Sequence, residues 1–239
     1  YNEYVKQIDE QIVIFLNNDI RVEFDFIDAL VKPFEEDKDV FMVTSRCMSF
    51  DGSHYEGGRC KSRIKEGLFW SACVFEGYEK KVMTAEFTMA AGFGAFDRKK
   101  FLELGGYDDL YFPGRLEDND ICFRAWRRGW KSLYEPKSVV YHMGAAAFNE
   151  KYGVDKTLAL AHRNSFLFFW KNIRDLRYLF EHVLLLIPRL LHAAVTGNRA
   201  LVKGFFEALP LLGLAFDRRK KERNRPHEMK DREIFNLVK

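Results

Sequence analysis

Residues 11–16 (QIVIFL) form a short β-branched and aromatic run without alternation, the pattern of a buried strand. The run stops at Asn17-Asn18-Asp19, three polar residues at its carboxyl edge. Phe26, Ile27, Leu30, Val31 and Phe34 recur at helical spacing and predict a helix over about 24–36, and 40–45 (VFMVTS) predicts a second buried strand. Turn signals at Asp51-Gly52-Ser53 and Glu56-Gly57-Gly58 predict loops with short elements over 46–81. Residues 89–96 (MAAGFGAF) predict a strand whose glycines allow close backbone approach. A short helix is expected over 98–104, ending at Gly105-Gly106, and another from near Glu117 to a stop at Gly129. Strands are expected over 132–135 and 138–142, on either side of Pro136. Helix and strand thus alternate to residue 142, which argues for an α/β layer architecture.

Beyond about residue 155 the pattern becomes helical and amphipathic. Leu176, Leu179, Phe180, Val183, Leu184, Ile187, Leu190 and Leu191 fall on one face, with Arg177, Glu181, Arg189 and His192 largely opposite. Leu201, Phe205, Ala208, Leu209 and Leu212 form a second stripe, followed by the basic run 218–225 (RRKKERNR). The chain divides on this reading into a catalytic-type part, 1–155, and an amphipathic, membrane-associating tail, 156–239. No uninterrupted apolar run approaches the ~20 residues a spanning helix needs.

Composition narrows the class. The chain has 239 residues, 47% hydrophobic and 31% charged, which excludes disorder. A net charge of +3 does not by itself imply nucleic acid, and the basic run lacks interleaved aromatics. Cys47, Cys60, Cys73 and Cys122 form no CxxC pair and no zinc-ligand spacing, so reduced thiols and a cytoplasmic setting are expected.

Three places carry candidate chemistry. Asp19 at a strand end suits a hard divalent cation such as Mg²⁺ or Mn²⁺, although Asn17-Asn18-Asp19 is also a good turn. Glu117-Asp118-Asn119-Asp120 opens a helix, where acids are favoured by the free N–H groups; three in four residues exceed a cap and suit a general base. Asp118 shares a helix face with Ile121, Cys122 and Ala125 and so faces the protein body. His142 ends a strand, where it is either a packed edge residue or a metal ligand.

Four segments in order, LNND (16–19), GFGAFDRKKFLELGGYDD (92–109), LEDNDICFRAWRRGW (116–130) and EPKSVVYHMG (135–144), resemble the C-terminal half of the catalytic domain of family 2 glycosyltransferases, with a looser likeness through 162–166 (HRNSF). The resemblance implies a partial GT-A fold, a mixed sheet with flanking helices, and an inverting, hexosyl- or rhamnosyl-type transferase of the bacterial cell-envelope kind. It implies a nucleotide-sugar donor, a glycan or lipid-linked acceptor, and a divalent cation held by Asp19 and His142. Asp118 takes the place of the base, flanked by Glu117 and Asp120. Asn17, Asn18, Gly92, Phe93 and Gly94 fall at the donor pocket, with Asn17 where the family has its first Asp. Residues 1–11 resemble the helix before the LNND strand, so the upstream, base-reading part of such a domain is expected to be missing. The tail is expected to lie on the inner face of an anionic cell membrane. An inactive membrane scaffold and a metal-dependent nucleotidyl or phosphoryl transferase are the alternatives. On the leading reading, Asp19, Asp118 and His142 must converge on one cleft.

Overall fold

The computed structural model describes residues 1–90, 92–143, 146–225 and 227–238, without the side chains of 146–148; Ala91 and Gly144 of the segments above lie outside them. The elements, in chain order, are α1 (Asn2–Val5), β1 (Ile12–Phe15), β2 (Ile20–Val22), α2 (Phe26–Glu36), β3 (Val40–Ser49), β4 (Tyr55–Gly57), β5 (Lys61–Lys65), β6 (Leu68–Ala72), β7 (Glu86–Phe87), β8 (Gly94–Asp97), α3 (Arg98–Leu104), α4 (Glu117–Arg127), β9 (Lys131–His142), α5 (Ala146–Tyr152), α6 (Val154–Asn172), α7 (Leu176–Val195), α8 (Arg199–Ala208), α9 (Leu212–Arg223) and α10 (Asp231–Phe235).

The expected α/β architecture is present as a mixed sheet in the order β1-β8-β3-β9-β2, with β4 added to β3 and β7 to β9. β3 and β9 run parallel and form its centre; the other pairings are antiparallel. Consecutive residues face opposite sides. Met42 and Phe96 join the larger core under α3, α4 and α6, while Val43 and Ala95 join a smaller one with Phe26 and Leu30 of α2.

Several expectations change. The strand expected over 89–96 is shorter, because only 94–97 pairs with neighbours. β1 is less buried than its run of apolar residues suggested, since among the described residues it has one neighbour, β8. The two strands expected around Pro136 are one, β9; Ser45 pairs with Glu135 but Arg46 with Val139, so Pro136 sits in a bulge where no ladder N–H is needed. β2 and the hairpin β5–β6 were not foreseen. Cys60 and Cys73, expected as thiols, form a disulfide. They follow directly on the pair Lys61↔Ala72 of the hairpin ladder, which sets them opposite each other. Cys47 and Cys122 remain free and buried.

The division at residue 155 does not follow the packing. Phe166 to Asn172 of α6 are all buried, and Phe166, Leu167, Phe168 and Phe169 belong to the same core as Phe123 of α4. Two polar networks bind α6 to the catalytic-type part. Asn164 Nδ2 donates to the carbonyls of Gly114 (2.8 Å) and Arg115 (2.7 Å), pinning the loop before α4. Lys171 Nζ, 1% exposed, reaches Asp108 (2.7 Å) and Asp120 (2.7 Å).

The tail's two stripes meet different fates. Leu201 and Ala208 of α8 are buried, and the Phe205 ring packs 5.2 Å from Phe166, so that stripe is a core contact. The stripe of α7 is bare: Phe180 is 70% exposed, Val183 74%, Ile187 60% and Leu191 63%. By length and composition alone α7, with mean hydropathy 1.4, could cross a membrane, although Arg177, Glu181 and Arg189 interrupt its apolar run. Its other side is fixed to α6 and to the β5–β6 turn: His182 accepts from Trp170 Nε1 of α6 (3.1 Å) and its Nδ1 lies 2.6 Å from the Gly67 carbonyl of the turn. The basic run is partly structural, since Arg218 pairs with Asp109 (2.7 Å) and Glu222 with Arg128 (2.9 Å).

Asp120 is the most heavily tied carboxylate in these networks. Asp120→Asn is expected to destabilise the fold by about 3–5 kcal/mol, because Arg124 and Lys171 keep their buried charges and lose their shared partner. Chemical denaturation of the two proteins measures it.

Candidate functional site

The chain leaves edge strand β1 and reaches the opposite edge, β2, through residues 16–19, so Asn17, Asn18 and Asp19 run along one end of the sheet. β2 pairs with β9 in the register Ile20↔His142, which sets Asp19 beside the last residue of β9. His142 Nε2 lies 3.4 Å from Asp19 Oδ2. Across the ring, His142 Nδ1 lies 3.6 Å from Glu56 Oε2. Glu56 arrives there because the β3–β4 pairing shifts between Cys47↔Gly57 and Met48↔Tyr55. The Phe93 ring packs against His142 with centroids 4.7 Å apart.

The N-terminus of α4 closes the other side. Asp118 and Glu117 face the same cleft as Asn17, Glu56 and His142; one compartment of about 850 Å³ adjoins a second of about 900 Å³ that also takes in Asn18 and Asp19. Asp19, Asp118 and His142 therefore line one cleft. Gly92 passes against the acid: a Cβ there would sit 3.4 Å from Asp118 Oδ2. Phe93, at φ 57°, turns its ring toward His142.

Two of the expected site residues lie elsewhere. Asp120 is fully buried and points away from the cleft, accepting from Arg124 Nε (2.7 Å), Asn172 Nδ2 (2.8 Å) and Tyr111 Oη (2.9 Å). Two residues apart on a helix means about 200° of rotation, so Asp118 and Asp120 cannot serve one cavity. Gly94 belongs to β8, where a Cβ would fall 2.5 Å from the Val43 carbonyl; it permits strand packing and does not line the cleft. Conversely, Glu56, Cys47, Asn119 and Tyr107 line the cleft without having been singled out from the sequence. Asn119 holds the hairpin to α4 by donating to Ser71 Oγ (3.0 Å).

The acids titrate unlike one another. Burial raises Asp118 to about 6, opposed by a hydrogen bond from Tyr107. Burial, and next the charge of Asp118, raises Glu117 to about 8. Asp120 is pushed up by burial, yet Lys171 and Arg124 hold it well below the usual carboxylate range. Burial thus raises both cleft carboxyls above the usual carboxylate range, while its cationic neighbours hold Asp120 below it.

Asp19 Oδ1 is buried without a hydrogen-bond partner while Oδ2 faces an imidazole, and both atoms suit a cation with oxygen and nitrogen ligands. No protein-family profile matches the chain. A Drosophila melanogaster protein, provisionally named polypeptide N-acetylgalactosaminyltransferase 10, is 26% identical over 141 residues, covering 56% of this chain. Among solved structures, GalNAc-T7 with UDP, GalNAc and Mn²⁺ is similar at 21% identity and a TM-score of 0.47 over 67% of this chain. The chain spans 22% and 32% of the lengths of these two proteins.

The raised acids make stability depend on pH. Folded Glu117 and Asp118 keep protons that the unfolded chain releases near pH 4, so each costs stability progressively as pH rises from about 4 toward its folded value, by at most about 1.4 kcal/mol per pH unit per retained proton. Glu117→Gln is expected to flatten this decline between about pH 5 and 8. Denaturation midpoints across that range measure it.

Proposed function

We propose that this chain is the metal- and acceptor-side part of a GT-A-type glycosyltransferase that moves a sugar from a nucleotide-sugar donor to a hydroxyl acceptor. The observation that carries the reading is the meeting of Asp19, His142 and Asp118 in one cleft, from three segments distant in sequence. The Drosophila relative, whose name denotes transfer of N-acetylgalactosamine, supports sugar transfer as the reaction class. It gives no support to the bacterial cell-envelope type expected from the motifs; UDP-, GDP- and dTDP-sugars are the donors to test, and the acceptor is a glycan or lipid-linked hydroxyl.

Asp19 and His142 would hold the divalent cation, Mn²⁺ or Mg²⁺, which neutralises charge on the donor diphosphate when bound. Asn17 and Asn18 offer amides along the same rim, and Gly92 and Phe93 bring backbone close to the cavity wall. Asp118 faces the cavity from α4, is backed by Gly92 and accepts a hydrogen bond from Tyr107. In the inverting reaction it takes the proton of the acceptor hydroxyl as that oxygen attacks the anomeric carbon and the nucleoside diphosphate departs. A carboxylate raised to about 6 is largely ionised at pH 7 and more basic than an ordinary Asp, as the role requires. Glu117, higher still, keeps its own proton and so avoids a second negative charge beside Asp118.

The bare face of α7 supports attachment to an anionic membrane surface. Arg177 on the same helix and Arg199 and Lys203 on α8 are exposed as well, and an interfacial helix combines bare apolar and basic residues in this way. These charges suit an anionic leaflet, and the Cys60–Cys73 disulfide argues for an oxidising compartment in place of the cytoplasmic side expected from the sequence.

In the complete protein, Asp118→Asn should lower turnover of the sugar nucleotide by about 10²–10⁴-fold with donor binding retained. Near-normal turnover removes Asp118 from the role. The protein should float with anionic vesicles, and Val183→Asp combined with Ile187→Asp, both at exposed positions, should abolish flotation without lowering the melting temperature. A parent protein that stays unbound ends the membrane reading.

A further inference from the structure

The cleft also contains a softer set of ligands than a Mg²⁺ or Mn²⁺ site calls for. Cys47 of β3, Glu56 of β4 and His142 of β9 come from three contiguous strands. One sulfur, one carboxylate oxygen and one imidazole nitrogen from them all lie within 4.8 Å of one another. All three residues line the compartment of about 850 Å³, and Cys47 is only 1% exposed. The histidine divides its ring between two carboxylates, Nε2 toward Asp19 and Nδ1 toward Glu56.

We propose that Cys47, Glu56 and His142 form a zinc site at the inner wall of the cleft, which competes with the hard-cation site for His142. Zinc bonds sulfur at about 2.3 Å and nitrogen or oxygen at about 2.0–2.2 Å, so a tetrahedral set spans roughly 3.3–3.7 Å between ligands. The observed spread needs a contraction of about 1 Å. Glu56 supplies it, because it lies in a register shift near the end of the sheet, whereas Cys47 and His142 are fixed by the parallel β3–β9 ladder. The Cys47 thiol gives up its proton to solvent as the zinc–sulfur bond forms, and a water completes the fourth position. Thiolate favours zinc over Mn²⁺ and Mg²⁺. Because one imidazole does not serve two separate cations equally, zinc in this site withdraws His142 from Asp19. Zinc is therefore an antagonist of the Mn²⁺-dependent reaction, a consequence that rests on the transferase reading, although the binding site itself does not.

The full chain, purified without thiol reductant so that Cys60 and Cys73 stay paired, is titrated with Co²⁺ and followed by absorption. A sulfur-to-cobalt charge-transfer band should grow, disappear on adding Zn²⁺, and be absent in Cys47→Ser. Competition with a chromogenic zinc chelator should show affinity lower by at least about 10-fold in Cys47→Ser and also in Glu56→Gln, which alters a partly exposed side chain and keeps the fold. Mn²⁺ binding to Cys47→Ser, read by electron paramagnetic resonance, should be unchanged. A cobalt band that survives Cys47→Ser, or zinc affinity equal to the parent's in both variants, overturns the proposal. Zinc binding with no turnover of any sugar nucleotide would remove the transferase reading and leave the site standing; turnover without the cobalt band would do the reverse.

Discussion

One buried carboxylate governs where everything else can sit. Asp120 accepts from Lys171, Arg124, Asn172 and Tyr111, side chains contributed by α6, α4 and the loop before α4. Without these partners a charge in that position would be too costly to bury; with them it fixes the rotation of α4 about its axis. That rotation decides which acid faces the cavity. With Asp120 turned inward to the ion network, Asp118 two residues earlier is turned to the cleft.

The network also explains why the helical part of the chain is not an appendage. α6 contributes both Lys171 and Asn164, so the same helix that neutralises Asp120 holds the loop that precedes α4. Arg163 adds a bond to the Phe112 carbonyl at 2.6 Å. The segment HRNSF, which in sequence was only a loose likeness, is the part of α6 that touches the wall of the cleft. Arg163, Asn164 and Ser165 in it donate to backbone carbonyls.

What the sequence disclosed and what it hid follow from periodicity. α2, α3 and α4 were legible because helical spacing and helix-ending glycines are local signals. β2 was not, since three residues with two exposed carry no pattern. Glu56 was hidden because its place depends on a register shift between two strands. α7 and α8 carried equally good apolar stripes, yet one faces α6 and the other faces outward; periodicity shows that a face exists and not what covers it. Likewise Asp118 and Asp120 looked alike as acids at a helix start, and only the helical angle between them separates a cavity-facing side chain from an internal one. Gly92 and Gly94 differ in the same way, the first against an acid and the second against a neighbouring strand.

The hairpin of β5 and β6 ties the outward-facing helix to the cavity wall by hydrogen bonds. One end of this two-stranded ribbon is clamped to α7, through the Gly67 carbonyl on His182 and the Gly67 amide on Glu181 at 2.8 Å. The other end, at Ser71, is bonded to Asn119, the residue next to Asp118. Through this ribbon, about five residues long, the outward-facing helix and the first turn of α4 share one chain of hydrogen bonds.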